Sequence, residues 1–126
     1  MKAVFSIHPR FAKLILSGKK ACEYRRRLPA KNISSILIYA TSPISKIIGE
    51  VKVENVLLLK KEELWSLTTQ IGGISKSEFD EYFHGAPKAG ALLLSNPVSY
   101  KKPLTIEEVG LTRPPQSFCY MSEEDG

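Results

Sequence analysis

The sequence contains few of the residues from which metal sites and disulfide frameworks are built. Its two cysteines, Cys22 and Cys119, lie far apart and form no CxxC pair. The two histidines, His8 and His84, are equally isolated, and neither belongs to an HxxxH or HxE arrangement. Zinc sites and disulfide-stapled domains depend on closely spaced ligands or cysteines. The sequence therefore predicts reduced cysteines, no metal site and no cofactor.

Long apolar runs and several widespread catalytic motifs are also missing. No stretch approaches the roughly 20 apolar residues that cross a bilayer, and the N-terminus, with Lys2, His8 and Arg10, has no signal-peptide core. The motifs GxxxxGK(S/T), GxGxxG, HExxH and GxSxG do not occur. Their absence argues against nucleotide-hydrolysing, dinucleotide-binding, zinc-protease and serine-hydrolase functions. We expect a soluble cytoplasmic protein without a membrane partner.

Composition and length indicate one globular domain. The chain has 126 residues, of which 43% are hydrophobic and 25% charged, values close to ordinary globular usage. A chain of this length can bury one sizeable core. Without a repeat or a linker, we predict a single domain over residues 1–122, followed by a frayed acidic tail over residues 123–126.

Positive charge is concentrated in the first half of the chain. The net charge is +5, but residues 1–60 carry twelve Lys or Arg against three Glu, whereas residues 61–126 carry six against ten acidic residues. The segment 18–27 alone holds five of the eighteen basic residues around one carboxylate, Glu23. Such clustering is typical of a surface that binds phosphate groups. A solvated basic strand edge is the structural alternative.

The first elements are a strand, a helix and a second strand. Residues 3–7 read as a buried strand, Pro9 suits the first turn of a helix, and Gly18 suits its end. Residues 21–27 then alternate as a strand does. At a period of two, Glu23, Arg25 and Arg27 share one face. We therefore predict an ion pair between Glu23 and Arg25 that orients the guanidinium.

The remaining pattern predicts strands interrupted by one helical pair. Strands are expected over residues 33–40, 47–59, 89–94 with a continuation at 98–102, and 117–121, and Gly49 indicates a bulge or a close backbone approach. Helices are expected over residues 62–69 and between a Ser75 to Glu78 capping box and Gly85. An aromatic stripe on the second helix, Phe79, Tyr82 and Phe83, is expected in the core.

This order of elements predicts an α+β fold: a small β-barrel of five to six strands with an early helix and an inserted helical pair. A three-layer α/β domain fits less well. It requires regular alternation of strands and helices, and residues 33–59 offer strands without a helix between them.

Four residues of the basic segment form a recognisable motif. Gly18, Lys20, Glu23 and Arg25 make a GxKxxExR pattern at the end of the first helix, and this pattern resembles the signature of the ASCH family, whose β-barrel is related to the PUA domain. Residues 6–9, 39–43, 48–50 and 113–118 agree with the resemblance, which covers almost the full chain. It implies a PUA-like barrel, in a superfamily linked to RNA binding and RNA modification, with a cleft between the barrel and the first helix.

The resemblance assigns Lys20, Glu23 and Arg25 to this cleft. Arg26 and Arg27 lie outside the signature and are predicted as additional phosphate contacts, while Thr41 and Ser42 offer hydroxyls or amides nearby. Tyr24 or Tyr39 is a candidate for stacking on a base. The predicted nucleic-acid-binding residues are therefore Lys20, Glu23, Tyr24, Arg25, Arg26, Arg27, Thr41 and Ser42.

Some relatives in the family are enzymes. One branch uses a Thr three residues after a Lys as the nucleophile that deacetylates N4-acetylcytidine, but Glu23 stands at that position here, and a carboxylate does not replace the hydroxyl. Another branch is ribonuclease-like, with Tyr, Lys and Ser implicated. If this chain is an enzyme, Lys20 as a general base and Glu23 are the catalytic candidates. Because Glu23 favours a charged Lys20 ammonium, the sequence favours anion binding.

The predicted function is binding of RNA or of a nucleotide-containing ligand through a basic cleft. One alternative is hydrolysis of RNA or of an acylated nucleoside in the same cleft. Another is a regulatory module for a protein or a small anionic metabolite. Binding to a phosphate backbone should weaken steeply with salt, whereas turnover of a small neutral nucleoside should not.

Overall fold

The computed structural model describes residues 1–121, so the predicted tail over 123–126 lies outside the described residues. The elements in chain order are β1 (Lys2–Ile7), α1 (Pro9–Leu16), β2 (Cys22–Arg25), β3 (Ser35–Ala40), β4 (Lys46–Leu59), α2 (Lys61–Thr68), α3 (Lys76–Tyr82), β5 (Ala89–Leu104), a 3₁₀ turn (Glu107–Val109) and β6 (Phe118–Tyr120). The α+β class, the strand number and the helical pair inserted between β4 and β5 are confirmed.

The six strands form one curled sheet, a half-barrel, in the order β2-β5-β4-β3-β1-β6. β1 pairs with β3 in parallel, and every other neighbouring pair is antiparallel. β4 and β5 are the longest strands, with 14 and 16 residues. β5 is one continuous strand, although the sequence predicted two segments, 89–94 and 98–102. This order leaves β2 and β6 at the two edges.

Gly49 is the position at which the sheet bends over α1. The pairing of β4 with β5 shifts between Ile47 and Gly49. A Cβ built on Gly49 would lie 2.5 Å from the carbonyl oxygen of Val98 and 2.6 Å from Cδ2 of Leu16. The predicted bulge and close approach are therefore both confirmed, because only a residue without a side chain allows this strand to touch the helix.

Buried side chains form three clusters. The first lies between α1 and the sheet and includes Phe5, Ile15 and Ile38. The second lies beneath α2 and α3 and includes Cys22, Tyr24, Leu64, Phe79 and Phe83. The third lies on the other face of β1 and β3. Its residues Val4, Leu37 and Tyr39 alternate along these strands with residues of the first cluster, and alternate residues of a strand point to opposite faces. The helical pair therefore has its own core, separate from that of α1.

The aromatic stripe of α3 divides between this core and the surface. Phe79 and Phe83 are buried as expected, but Tyr82 is 40% exposed, so its assignment to the core was wrong. The capping box is confirmed: the Ser75 hydroxyl accepts from the Glu78 amide, and the Glu78 carboxylate accepts from the Ser75 amide. In the described part of the chain, no helix is long and apolar enough to span a membrane.

The variant Gly49→Ala tests the close approach at the bend. We expect it to lower the free energy of unfolding by about 1–3 kcal/mol, because the added methyl group overpacks a backbone carbonyl that has little freedom to move. Urea denaturation measures the change. Ser66→Ala, at an exposed position of α2, should change stability by less than about 0.5 kcal/mol, and an equally small effect for Gly49→Ala would contradict the close packing.

Candidate functional site

A cleft of about 430 Å³ opens between α1 and α3. The end of β1 and strand β2 provide its base, since residues 6–8 and 23–25 line it, while Phe11 comes from α1 and three side chains come from α3. The complete lining is Ser6, Ile7, His8, Phe11, Lys20, Glu23, Tyr24, Arg25, Ile74, Glu78, Glu81 and Tyr82. Lys20, Glu23, Tyr24 and Arg25 of the predicted set thus meet at one place.

Lys20 is a buried cation in this cleft. Only 2% of the residue is exposed, and its Nζ donates a hydrogen bond to the carbonyl of Gly72. The same Nζ lies 5.1 Å from the ring centroid of Phe11 and 5.0 Å from that of Tyr24. Burial lowers the pKa of Lys20 and outweighs the opposite influence of Glu23. The amine therefore loses its proton more readily than an exposed lysine does.

The predicted ion pair between Glu23 and Arg25 is present. The Nε of Arg25 lies 3.0 Å from Oε2 of Glu23, and the two side chains are only 11% and 8% exposed. Arg25 also donates from Nη1 to the Ser117 hydroxyl at 3.1 Å and from Nη2 to the Ser6 carbonyl at 2.9 Å. The guanidinium is thus held by three separate segments of the chain. Three of its five N–H groups are engaged inside the protein.

Tyr24 forms a wall of the cleft rather than a free stacking surface. Its ring makes edge contacts with Phe79 and Phe83 at centroid distances of 5.2 and 6.1 Å. Its hydroxyl donates to Thr68 Oγ1 at 2.6 Å, since the Thr68 hydroxyl itself donates to the Leu64 carbonyl. Burial raises the pKa of Tyr24 to about 12. The phenol therefore stays protonated at neutral pH.

The other predicted binding residues do not line the cleft. Arg26 donates to the carbonyls of Tyr82 and His84 at the end of α3, a position that suits a cation. Arg27 lies over the ring of Phe118. Thr41 and Ser42 belong to the turn after β3.

A group of cleft residues was missed by the sequence analysis. Glu78, Glu81 and Tyr82 come from α3, and the Glu78 carboxylate pairs with Arg10 of α1, at 2.8 Å from Nη1 and 3.4 Å from Nη2. Arg10 and the Ser75 cap lower the pKa of Glu78 to about 2. The capping box identified Glu78 as a helix-start residue, but no local signal placed α3 opposite α1.

The charge of the cleft is mixed. Its lining combines Lys20 and Arg25 with three glutamates, Glu23, Glu78 and Glu81. Among residues 1–121 there is no cluster of three or more His, Cys, Asp or Glu side chains suited to a metal ion. The arrangement is therefore suited to a ligand that carries hydrogen-bond donors as well as acceptors or negative charge.

A family model, a relative and several solved structures point to the same family. The model of the ASCH domain matches residues 5–103. An ASCH domain-containing ribonuclease from Zymomonas mobilis is 36% identical over 98% of this chain and 86% of its own length. A crystal structure of ASCH from Zymomonas mobilis has a TM-score of 0.88 at 35% identity, over 97% of this chain and 88% of that chain. Its Ser→Ala mutant is equally similar, with a TM-score of 0.88 and 34% identity over 97% of this chain and 89% of that chain.

A double-mutant cycle on Glu23 and Arg25 tests the buried ion pair. Arg25→Ala and Glu23→Ala should each destabilise the fold by about 3 kcal/mol or more, because each leaves a buried charge without its partner. The free energy of unfolding should fall less in the double variant than the two single losses added together, and the difference, the coupling energy, should be about 1–3 kcal/mol. Chemical denaturation provides the four free energies. The exposed pair Lys76 and Asp80 serves as a control, with a coupling of at most about 0.5 kcal/mol, and equal couplings would contradict the role of burial.

Cys22 should be unreactive in the folded protein. It is fully buried, and burial raises the pKa of its thiol to about 12, so almost no thiolate, the reactive form, exists at pH 8. Alkylation with iodoacetamide at pH 8, read by mass spectrometry, should leave Cys22 unmodified until denaturant is added. Rapid labelling of Cys22 in native buffer would show that the second core cluster opens readily.

Proposed function

Because this chain belongs to the ASCH domain family, we propose that it acts on RNA and that the cleft binds one unpaired nucleotide. The observation that carries the proposal is the buried cation Lys20 beside the Glu23–Arg25 pair, in an enclosure of about 430 Å³. The ribonuclease to which the chain is similar supports RNA as the ligand class. In this proposal Lys20 and Arg25 are the contacts to phosphate or to base acceptors.

The size of the cleft favours a single nucleotide. Pockets for small ligands usually enclose roughly 300–1,000 Å³, and the cleft lies near the lower end of this range. Proteins that recognise RNA sequence commonly take up unstacked bases from single-stranded regions and surround them with aromatic and polar side chains. Phe11, Tyr24 and Tyr82 supply the aromatic walls here. A duplex would not fit into this space.

The mixed charge favours a nucleotide over a bare phosphate. Base edges present amino donors beside carbonyl and ring-nitrogen acceptors. Glu81 and the Oε1 atom of Glu23 offer acceptors, since Glu78 is already engaged by Arg10 and the Ser75 amide, whereas Lys20 and the unengaged N–H groups of Arg25 offer donors. A site for phosphate alone would gain nothing from Glu81, because this carboxylate, unlike Glu23 and Glu78, has no ion pair among residues 1–121 and repels an anion.

Replacement of Lys20 tests the proposed binding. Lys20→Met keeps the aliphatic stem but removes the charge, so the affinity for single-stranded RNA should fall about tenfold or more, since a charge-assisted hydrogen bond contributes about 1.5–3 kcal/mol. Lys19→Met makes the same charge change at an exposed neighbour outside the cleft and should have a much smaller effect. Fluorescence anisotropy measures both, with circular dichroism to confirm folding. Equal losses would indicate a nonspecific charge effect and contradict the cleft.

RNA cleavage is a second candidate function. It is favoured by the lowered pKa of Lys20 and by the similarity to the ribonuclease from Zymomonas mobilis. A neutral Lys20 amine is able to remove the proton from a ribose 2′-hydroxyl. The resulting alkoxide would attack the adjacent phosphorus, and the 5′-oxygen would leave and take up a proton from water. The cleavage rate should then rise with pH through the pKa of Lys20, as its amine loses its proton.

The variant Lys20→Arg separates binding from cleavage. Arginine keeps the positive charge but does not lose its proton, so RNA affinity should be largely retained while cleavage of a labelled oligonucleotide stops. Gel analysis of the products and anisotropy on the same preparation provide the two readouts. Lys19→Arg is the matched control. Full cleavage by Lys20→Arg would exclude Lys20 as the base, and no cleavage by the wild-type protein would leave binding as the function.

A further inference from the structure

A row of cation–aromatic pairs leads away from the cleft along the paired strands β1 and β6. We propose that this row is a track for single-stranded RNA, which binds the nucleotides next to the one in the cleft. The inference rests on the proposed RNA-binding function and extends it to a surface outside the cleft. The row, here called the aromatic ladder, consists of the pairs Arg25 with Phe5, Arg27 with Phe118, and Lys31 with Tyr120.

The rings of the ladder follow from the strand pairing. β6 is antiparallel to β1, with Phe118 opposite Phe5 and Tyr120 opposite Ala3. The rings of Phe5 and Phe118 are stacked with centroids 4.9 Å apart, and those of Phe118 and Tyr120 are 5.8 Å apart. Alternate residues of a strand share one face. Phe118 and Tyr120 therefore share one face of the edge strand β6 and are half-buried, whereas Phe5, in the core, packs against Phe118 from the neighbouring strand.

One cation lies over each ring. The distance from the cation to the ring centroid is 4.9 Å for Arg25 over Phe5, 5.9 Å for Arg27 over Phe118 and 5.1 Å for Lys31 over Tyr120. These distances lie within the range of cation–π attraction. The segment between β2 and β3 is anchored as well, because the amides of Ala30 and Lys31 donate to the Tyr120 hydroxyl at 2.8 and 3.1 Å. The positive charges are thus held in place before any ligand binds.

The ladder is continuous with the cleft. Arg25 belongs to both, because it lines the cleft and lies over Phe5. Nη1 of Arg25 donates a hydrogen bond to the hydroxyl of Ser117, the residue directly before β6. The carbonyl of Ser117 in turn accepts from the amide of Ser6, which lines the cleft. A strand of RNA that leaves the cleft beside Arg25 would therefore meet Arg27 and then Lys31.

The two outer cations remain available to phosphate. Arg27 and Lys31 are exposed, and neither belongs to a salt bridge among residues 1–121. By contrast, Lys2 and Lys76 pair with carboxylates. An aromatic ring positions a cation without neutralising it. A positively charged groove that follows the backbone is the element with which proteins hold single strands irrespective of sequence.

The position of the ladder also favours a single strand over a duplex. The track begins at a cleft that, in the proposed function, holds an unstacked nucleotide. A strand with splayed bases can place one nucleotide there, whereas a duplex keeps its bases stacked inside.

The test compares RNA length between two matched double variants. Arg27→Gln with Lys31→Gln removes the outer charges but keeps the aliphatic stems that cover the rings. Lys101→Gln with Lys102→Gln removes the same charge from exposed positions of β5 that do not line the cleft. The probes are fluorescein-labelled RNA oligonucleotides of randomised sequence, two to eight nucleotides long, and an equimolar mixture of the four nucleoside monophosphates as competitor. Anisotropy is recorded from 50 to 300 mM salt, and thermal melts confirm folding.

The track predicts a length-dependent loss. Arg27→Gln with Lys31→Gln should weaken binding of the eight-nucleotide probe about tenfold at low salt. The plot of the logarithm of the association constant against the logarithm of the salt concentration should become less steep by about 1.4, since each phosphate contact of a single strand contributes about 0.7 to its slope. Its affinity for the mononucleotide mixture should equal that of the wild-type protein. The Lys101 and Lys102 variant should resemble wild type in every measurement.

Three results would overturn the track, and they differ in what they say about the cleft. Wild-type affinity that does not increase beyond the shortest probe would remove the track but leave the nucleotide-binding cleft intact. Equal losses of RNA affinity in the two double variants would show that only the overall charge of the protein matters, not the position of Arg27 and Lys31. Failure of the wild-type protein to bind any probe or the mononucleotides would contradict the proposed function itself, and the track with it.

Discussion

The burial of two cations and one carboxylate at the end of β1 is the constraint on which the arrangement of the cleft depends. A buried charge is tolerated only with partners. Lys20 finds the Gly72 carbonyl, and Arg25 finds Glu23, Ser6 and Ser117. These partners come from the N-terminal strand, the loop after α2 and the segment before β6. Satisfying the charges therefore brings distant parts of the chain together around one cleft.

The same constraint explains why the basic segment does not act as one positive patch. Neighbouring residues of a strand point to opposite faces, and the segment leaves its strand after Arg25. Arg25, the last residue of β2, lies in the cleft with Lys20, whereas Arg26 binds carbonyls at the end of α3 and Arg27 covers Phe118. Three carboxylates join the two buried cations, so the cleft combines both signs of charge. This combination supports a nucleotide rather than a phosphate group as the proposed ligand.

Local features of the sequence predicted a large part of the fold. Alternating and helical periodicities located the strands and helices, the Ser75 to Glu78 capping box marked the start of α3, and Gly49 marked the bend. Glu23 and Arg25 could be paired from their spacing alone. These predictions succeeded because each depends on residues that are close in sequence. Tyr82 was misplaced because helical periodicity does not distinguish a buried face from a face that borders a cleft.

By itself the sequence determined the α+β fold, the order of its elements and the GxKxxExR motif that contributes Lys20, Glu23 and Arg25 to the cleft. Only the tertiary structure decided what faces these residues. Arg10 and Glu78, 68 positions apart in the chain, meet across the cleft, and Arg27 lies over Phe118 beside it. The reason is physical: the first contact joins α1 to α3 and the second joins the segment after β2 to β6, and no periodicity within a single segment records which distant elements pack together.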